Sequence, residues 1–191
     1  MDTLKVLLSH DDVISHVLSE RPQSDTIGSF FHGSAATENL LLSEQSSALM
    51  IKLYMDDFQT TNPLGNKTRD YKICGIYFTL ANIPHHLASK VHTTQFAILA
   101  PHETISTHGL SKVMQPLIYD LKILETEGIE ISVGTIKLRG SVCLIIADNL
   151  GAHEMLGFFC SFKFCRFCNI SRNEKDNIFE ESLAELRTEE N

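Results

Sequence analysis

The chain is predicted to fold as an α/β domain on a sheet of mixed strand direction. Three features carry that prediction. Three strand-like runs follow one another between residues 49 and 100 with short links, the pattern of an antiparallel meander. An apolar period of three to four residues then takes over at residues 108–127, as an amphipathic helix requires. Finally, residues 142–147 form one more apolar run, with a second helical pattern behind it. The order is three strands, helix, strand, helix. Strands reached by tight links run antiparallel, whereas a strand reached across a helix can join the same sheet in the other direction.

Taken in order, residues 1–21 place Leu4, Leu7, Leu8, Val13, Ile14, Val17 and Leu18 near helical spacing, and Arg21-Pro22 ends the pattern. Residues 22–47 are rich in Ser, Thr, Gly and Asn, with Phe30-Phe31 and Leu40-Leu41-Leu42 as apolar anchors. Residues 1–47 are expected to be a helix and a surface connector without chemistry of their own. The first strand covers residues 49–58 and contains Ile51-Lys52-Leu53-Tyr54-Met55-Asp56-Asp57-Phe58, an apolar run ending on two acids. Residues 60–66, punctuated by Pro63 and Gly65, make a turn. The second strand is expected at residues 71–80, closed by Asn82-Ile83-Pro84, and the third at 93–100, stopped by Pro101. The helix at 108–127 sets Leu110, Val113, Met114, Leu117, Ile118, Leu121 and Leu124 on one face and ends at Gly128, with a kink or late restart expected at Pro116. Short strand-like pieces at 129–133 and 136–138 flank Gly134. Residues 142–147 are expected to be a buried strand, and 150–159 a helix. The domain boundaries implied are 1–47 for helix and linker, 48–160 for the α/β core, and 161–191 for a Cys-x-x-Cys segment with an acidic tail.

A length of 191 residues and an apolar fraction of 43% suit one domain with a real core. Twenty-four acids against 16 bases leave a net charge of −8, far from the profile of a basic nucleic-acid binder. Much of the excess lies from Glu174 onward. No apolar run approaches a membrane span, and Asp2, Asp11 and Asp12 interrupt any signal-like start. Five cysteines without a secreted-scaffold spacing point to a reducing compartment, the cytosol or nucleus.

The chemistry concentrates at the strand ends. Asp is depleted in strands, and an unpartnered buried carboxylate is costly, so Asp56, Asp57 and Asp148 call for a reason. One is capping: Asp148-Asn149 before a helix suits an N-cap. The other is a Mg²⁺ (or Mn²⁺) site, if two acid-bearing strands lie side by side. Asp57 shares the alternation face of Leu53 and Met55, and Asp56 takes the other. Cys165-x-x-Cys168 is half of a zinc-ribbon pattern. With no Cys or His after Cys168, Cys160 and His153 are the residues at hand to complete it. Cys74 and Cys143 sit inside strands as core residues. His85, His86, His102 and His108 are expected on loops at the surface, and Lys67, Arg69 and Lys72 on a solvated turn.

The segments Leu53-Tyr54-Met55-Asp56-Asp57-Phe58-Gln59, Asn62-Pro63-Leu64-Gly65, residues 116–124, Ala147-Asp148-Asn149-Leu150-Gly151-Ala152-His153 and Phe164-Cys165-Arg166-Phe167-Cys168 together resemble transposase-derived proteins of animal genomes. These are similar to DDE-type transposases with an RNase H-like fold, and the resemblance runs from about residue 4 to about residue 172. It implies a metal-dependent phosphoryl-transfer core acting on DNA. Asp56, with Phe58 in the trailing position, would be the first acid, Asp57 its rival, and Asp148 the second. A cysteine-containing insertion would follow, and a Glu on a later helix would be the third. No segment before Asn191 matches that third acid. Glu181 and Glu185 lie at a comparable distance from Asp148, but in a Glu-rich stretch with the look of a solvated helix end. The expectation is therefore a scaffold with phosphoryl transfer lost or very weak. The alternative is a non-catalytic module that binds a protein partner.

Overall fold

The computed structural model describes residues 1–19, 26–59, 72–88, 90–131, 136–157, 165, 167–171 and 173–187. These fall into two compact units, Met1–Ile146 and Ala147–Asn191.

The first unit is mixed α/β. Its sheet has four strands in the order β3-β2-β1-β6: β1 is Leu49–Gln59, β2 Lys72–Leu80, β3 Gln95–Pro101 and β6 Gly140–Ala147. As expected, β1, β2 and β3 form an antiparallel meander, with Leu53 opposite Phe78 and Tyr77 opposite Phe96. A bulge between Ile76 and Tyr77 shifts the β2–β3 register. On the other side of β1, Leu49 N donates to Arg139 O at 2.8 Å and Cys143 Sγ to Ile51 O at 3.3 Å. The contacts advance together along both strands, which is the parallel sense, so the sheet is mixed. A separate antiparallel hairpin pairs β4 (Ile129–Ile131) with β5 (Ile136–Leu138).

The period-2 pattern of β1 sends Leu49, Ile51 and Leu53 to one face, where they meet Phe78 and Leu80 of β2. That face is covered by three helices. α1 (Asp2–Leu8) and α2 (Asp11–Leu18) bring Leu4, Leu7, Leu8, Val13, Ile14 and Val17, and α7 (Leu110–Thr126) brings Leu117, Leu121 and Leu124. The N-terminal apolar period is thus divided into two helices at Ser9-His10, and both are built into the core. α7 runs unbroken through Pro116. The break lies earlier, at Gly109 (φ +83°), which separates α7 from α6 (His102–His108). Gly109 is open to the left-handed backbone region because it lacks a Cβ. Gly128 (φ +77°) ends α7 as expected, and a Cβ there would lie 2.6 Å from Leu138 O.

The opposite face of the sheet is covered only in part. Residues expected to be a bare connector form α3 (Ser34–Glu38) and α4 (Leu40–Glu44), and Leu41 and Leu42 pack with Ala48 and Met50 against Phe30, Phe31 and Cys143. Asn39 caps α4 by accepting from Leu42 N at 3.1 Å. Its amide donates to Ser141 Oγ at 3.3 Å, which in turn donates to Glu125 Oε1 at 2.9 Å. Asn82 holds the start of β1, accepting from Met50 N at 2.8 Å and donating to Ala48 O at 3.0 Å.

The expectation of a buried strand at 142–147 is corrected. β6 is an edge strand, and Leu144, Ile145 and Ile146 are 45%, 53% and 41% exposed. Only its first half, with Val142 and Cys143, packs inward. The remaining short helix of the first unit, α5, spans His85–Ala88.

The second unit holds α8 (Asn149–Met155), shorter than the 150–159 expected, with the residues from 158 to 164 outside those described. Beyond it, Cys168 bridges Leu186 in an antiparallel contact. Phe167 O accepts from Arg187 N, and Glu185 O from Asn169 N, both at 2.9 Å.

Candidate functional site

The strand grammar delivers the two neighbouring acids to opposite faces. β1 continues to Gln59, so Asp56 and Asp57 lie inside the strand rather than at its end. Asp57 is opposite Cys74 of β2, which is opposite Ala100 of β3. This register brings the end of β3 to the same side as the acid. Pro101 then ends β3, and His102 opens α6 with its Nδ1 3.2 Å from Asp57 Oδ2. Lys72, two residues from Cys74 and so on the same face of β2, places Nζ 3.8 Å from the same oxygen. The His102 approach is close but not aligned as a hydrogen bond, so it is a charge contact when the imidazole is protonated. All three side chains keep part of their surface in solvent, where such pairs contribute about 0–1 kcal/mol. Cys74 beneath them is buried, as expected of a core thiol.

Asp56 points the other way. It is opposite Gly75 and accepts a hydrogen bond from Tyr54 Oη at 3.0 Å. It belongs to an open face with Lys52, Tyr54, Tyr77 and Phe96, whose rings form a row across three strands. The Tyr54 and Tyr77 centroids are 6.1 Å apart and those of Tyr77 and Phe96 4.7 Å.

Asp148 follows directly on β6 and belongs to the second unit. Its Oδ1 accepts from Gly151 N at 2.7 Å, so it caps α8 in the way the sequence allowed. His153 of the same helix is buried. Cys165 and Cys168 form no disulfide, and Phe167 N donates to Cys165 Sγ at 3.4 Å. Cys160 lies outside the described residues. Glu185 gives its carbonyl to Asn169, and Glu181 lies in a short 3-10 turn, Glu181–Leu183.

Among the described residues, no three His, Cys, Asp or Glu side chains come close enough together to hold a metal ion. Asp57 and Asp56 each have a neighbour on their own face, and Asp148 is occupied as a cap. The described acids therefore do not make a ready site for Mg²⁺, nor do the two described thiols alone close a four-ligand zinc site. No catalytic step through a metal follows from them.

His102 is the functional-class residue that sequence reasoning undervalued. It was expected to be a surface loop histidine, and its distance in sequence from Asp57 gives no warning of contact. The signal was the Pro101 strand stop, which puts the next side chain at the sheet end. Only the β1–β2–β3 register turns that into a partner for Asp57. Lys72 opens β2, within the strand expected at 71–80, and its ammonium lies against Asp57; Lys67 and Arg69 lie outside the described residues.

Among the described residues no helix is long and apolar enough to cross a membrane. Comparisons with protein-family models, with curated proteins and with solved structures found no match in any of the three.

Proposed function

We propose that the chain is a transposase-derived protein on an RNase H-like scaffold, in which metal-dependent DNA phosphoryl transfer is lost or very weak. The observation that carries this reading is the sheet order β3-β2-β1-β6, with acids on the central strand β1 and another directly after β6. An antiparallel meander whose first strand is flanked by β6, a later strand reached after α7 and the β4–β5 hairpin, agrees with the resemblance in the sequence. In the ancestral enzyme that the resemblance implies, acids at the positions of Asp148 and of Asp56 or Asp57 would hold Mg²⁺ or Mn²⁺, which would supply charge for an attacking water or 3′-hydroxyl. Weak activity is proposed because Lys72 and His102 lie against Asp57, Tyr54 against Asp56, and Gly151 against Asp148.

The test is a nuclease and strand-transfer assay on the purified chain with Mg²⁺ and Mn²⁺. Cleavage is expected to stay at background, and neither ion should raise the melting temperature. Robust cleavage that disappears in Asp148→Ala and in either Asp56→Ala or Asp57→Ala overturns the reading.

A second reading is favoured by a specific observation. The exposed Leu144, Ile145 and Ile146 on an edge strand suit a protein-binding module that keeps the scaffold without its chemistry. Specific capture of one partner, lost on Ile145→Lys with the fold intact, would favour it.

A further inference from the structure

The open face of the sheet contains a cavity of about 400 Å³, lined among others by Lys52, Tyr54, Tyr77, Thr79, Thr94 and Ile146. Its walls follow from cross-strand register. Lys52 is opposite Thr79 and Tyr54 is opposite Tyr77, while Phe96, opposite Tyr77, stands beside the cavity and not in its lining. A row of aromatic rings thus runs beside a row carrying a cation and hydroxyls. Tyr54 is 41% exposed and Phe96 52%. Tyr77 does not stand off the sheet. A Cβ on Gly75 would meet its Oη at 2.7 Å, Cε2 at 2.8 Å and Cζ at 2.9 Å, so the ring lies down across Gly75 and the missing side chain makes room for it. A ring held flat on a sheet is a stacking platform, and aromatic faces on sheets bind bases in this way.

The charge is as specific as the rings. Lys52 makes no ion pair among the described residues. The carboxylate on this face, Asp56, is turned onto Tyr54 Oη. A half-buried ammonium without a carboxylate among the described residues, beside threonine hydroxyls and next to an aromatic row, matches a ligand with a planar ring and one anionic group. The volume is that of a small-ligand pocket.

We propose that this cavity binds a nucleotide, with its base stacked on Tyr77 beside Tyr54 and its phosphate on Lys52. The site does not depend on the acids of the proposed phosphoryl-transfer core, and stands or falls separately from that reading. Base and phosphate are common to a free nucleotide and to a single strand, and the test separates the two.

The full chain is titrated with AMP, adenosine, inorganic phosphate and a short single-stranded deoxyadenosine oligonucleotide, followed by amide chemical-shift mapping. AMP is expected to bind saturably and to shift the amides of residues 52, 54, 77, 79 and 94. Adenosine should bind roughly tenfold more weakly, the scale of one lost charge-assisted bond, and phosphate alone should not saturate. Lys52→Ala should lower AMP affinity by a similar factor and Lys52→Arg should restore it. Tyr54→Ala, at an exposed position, should weaken both AMP and adenosine with the remaining spectrum unchanged. An oligonucleotide that binds much more tightly than AMP identifies a single strand as the source, and equal affinities identify the free nucleotide. No saturable binding of AMP or oligonucleotide, equal binding of AMP and adenosine, or shifts that map away from these residues overturns the proposal.

Discussion

β1 and β6 are alike as sequence and unlike as structure. Both are short apolar runs that lead to acids, Ile51 to Asp57 in one and Val142 to Asp148 in the other. β1 lies inside the sheet with a neighbour on each side, and its Leu49, Ile51 and Leu53 are 0–2% exposed. β6 is an edge, and three consecutive apolar residues of its second half face solvent in large part. An apolar run records that a strand avoids water. It does not record how many strands and layers are there to take it out of water. The alternation in β1, with Lys52, Tyr54 and Asp56 between the apolar positions, is the mark of one covered and one open face. The unbroken run in β6 asks for cover on both faces, which the described residues of the first unit do not supply.

The largest expected break in that comparison is between matched truncations. Leu53→Ala leaves a cavity in the main core and is expected to cost about 2–5 kcal/mol. Ile145→Ala, at a half-exposed edge position, is expected to cost less than about 1 kcal/mol. Urea denaturation of the two variants measures the difference, and equal losses would mean that β6 is as buried as its sequence suggests. Gly140→Ala comes next, because it tests the seam between the strands. A Cβ there would sit 2.6 Å from Leu49 Cβ and 2.8 Å from Leu49 O, and backbone cannot give way cheaply. A loss of about 1–3 kcal/mol is expected from such overpacking.

Smaller effects sharpen the contrast. Ile145→Lys should change stability by no more than about 0.5 kcal/mol while reducing self-association at high concentration, as a charge on an exposed edge does. Light scattering alongside urea melts reads both. Asp57→Asn removes the contacts to Lys72 and His102 and should cost about 0–1 kcal/mol, with the difference shrinking as salt rises. Denaturation at low and high ionic strength would show it.

Cys143 gives the pH counterpart. Burial pushes its thiol from 9.0 up to about 11, against the opposing pull of the Lys52 charge. A folded pKa above the unfolded one means that the folded chain holds the proton longer. The stabilising contribution is therefore complete below about pH 9 and is lost as pH rises toward about 11. Cys143→Ala should flatten that decline in a pH series of melts. An unchanged profile would show that the thiol is not held in the packed half of β6.

Much of the fold was legible because it rests on local rules. The meander followed from strand periods and from Pro and Gly at the links, α7 from its apolar spacing, and its end from Gly128. Of the kink or late restart expected at Pro116, the restart is not found, because α7 already begins at Leu110 and includes the proline. In the structure the helix holds its register through that position with Leu117, Leu121 and Leu124 packed on the core. The segment at 26–47 was read too thinly, because its polar composition hides that Leu41 and Leu42 have Met50 to pack against. The candidate site was legible as residues and not as contacts. Asp56 and Asp57 stood out as adjacent acids, but Asp57 meets His102 only through two strand registers.

By itself the sequence determined the meander strands and their directions, the amphipathic helix α7 and the faces on which Asp56 and Asp57 must part, and it allowed the cap that Asp148 makes. These depend on chain geometry within a few residues, through the strand period of two, the helical period, and side chains that reach their own backbone. Tertiary structure alone decided that β1 is central and β6 an edge, that His102 joins Asp57, and that Tyr54, Tyr77 and Phe96 line up across three strands. Each of those depends on register between distant segments, where a shift of one residue turns every side chain to the other face.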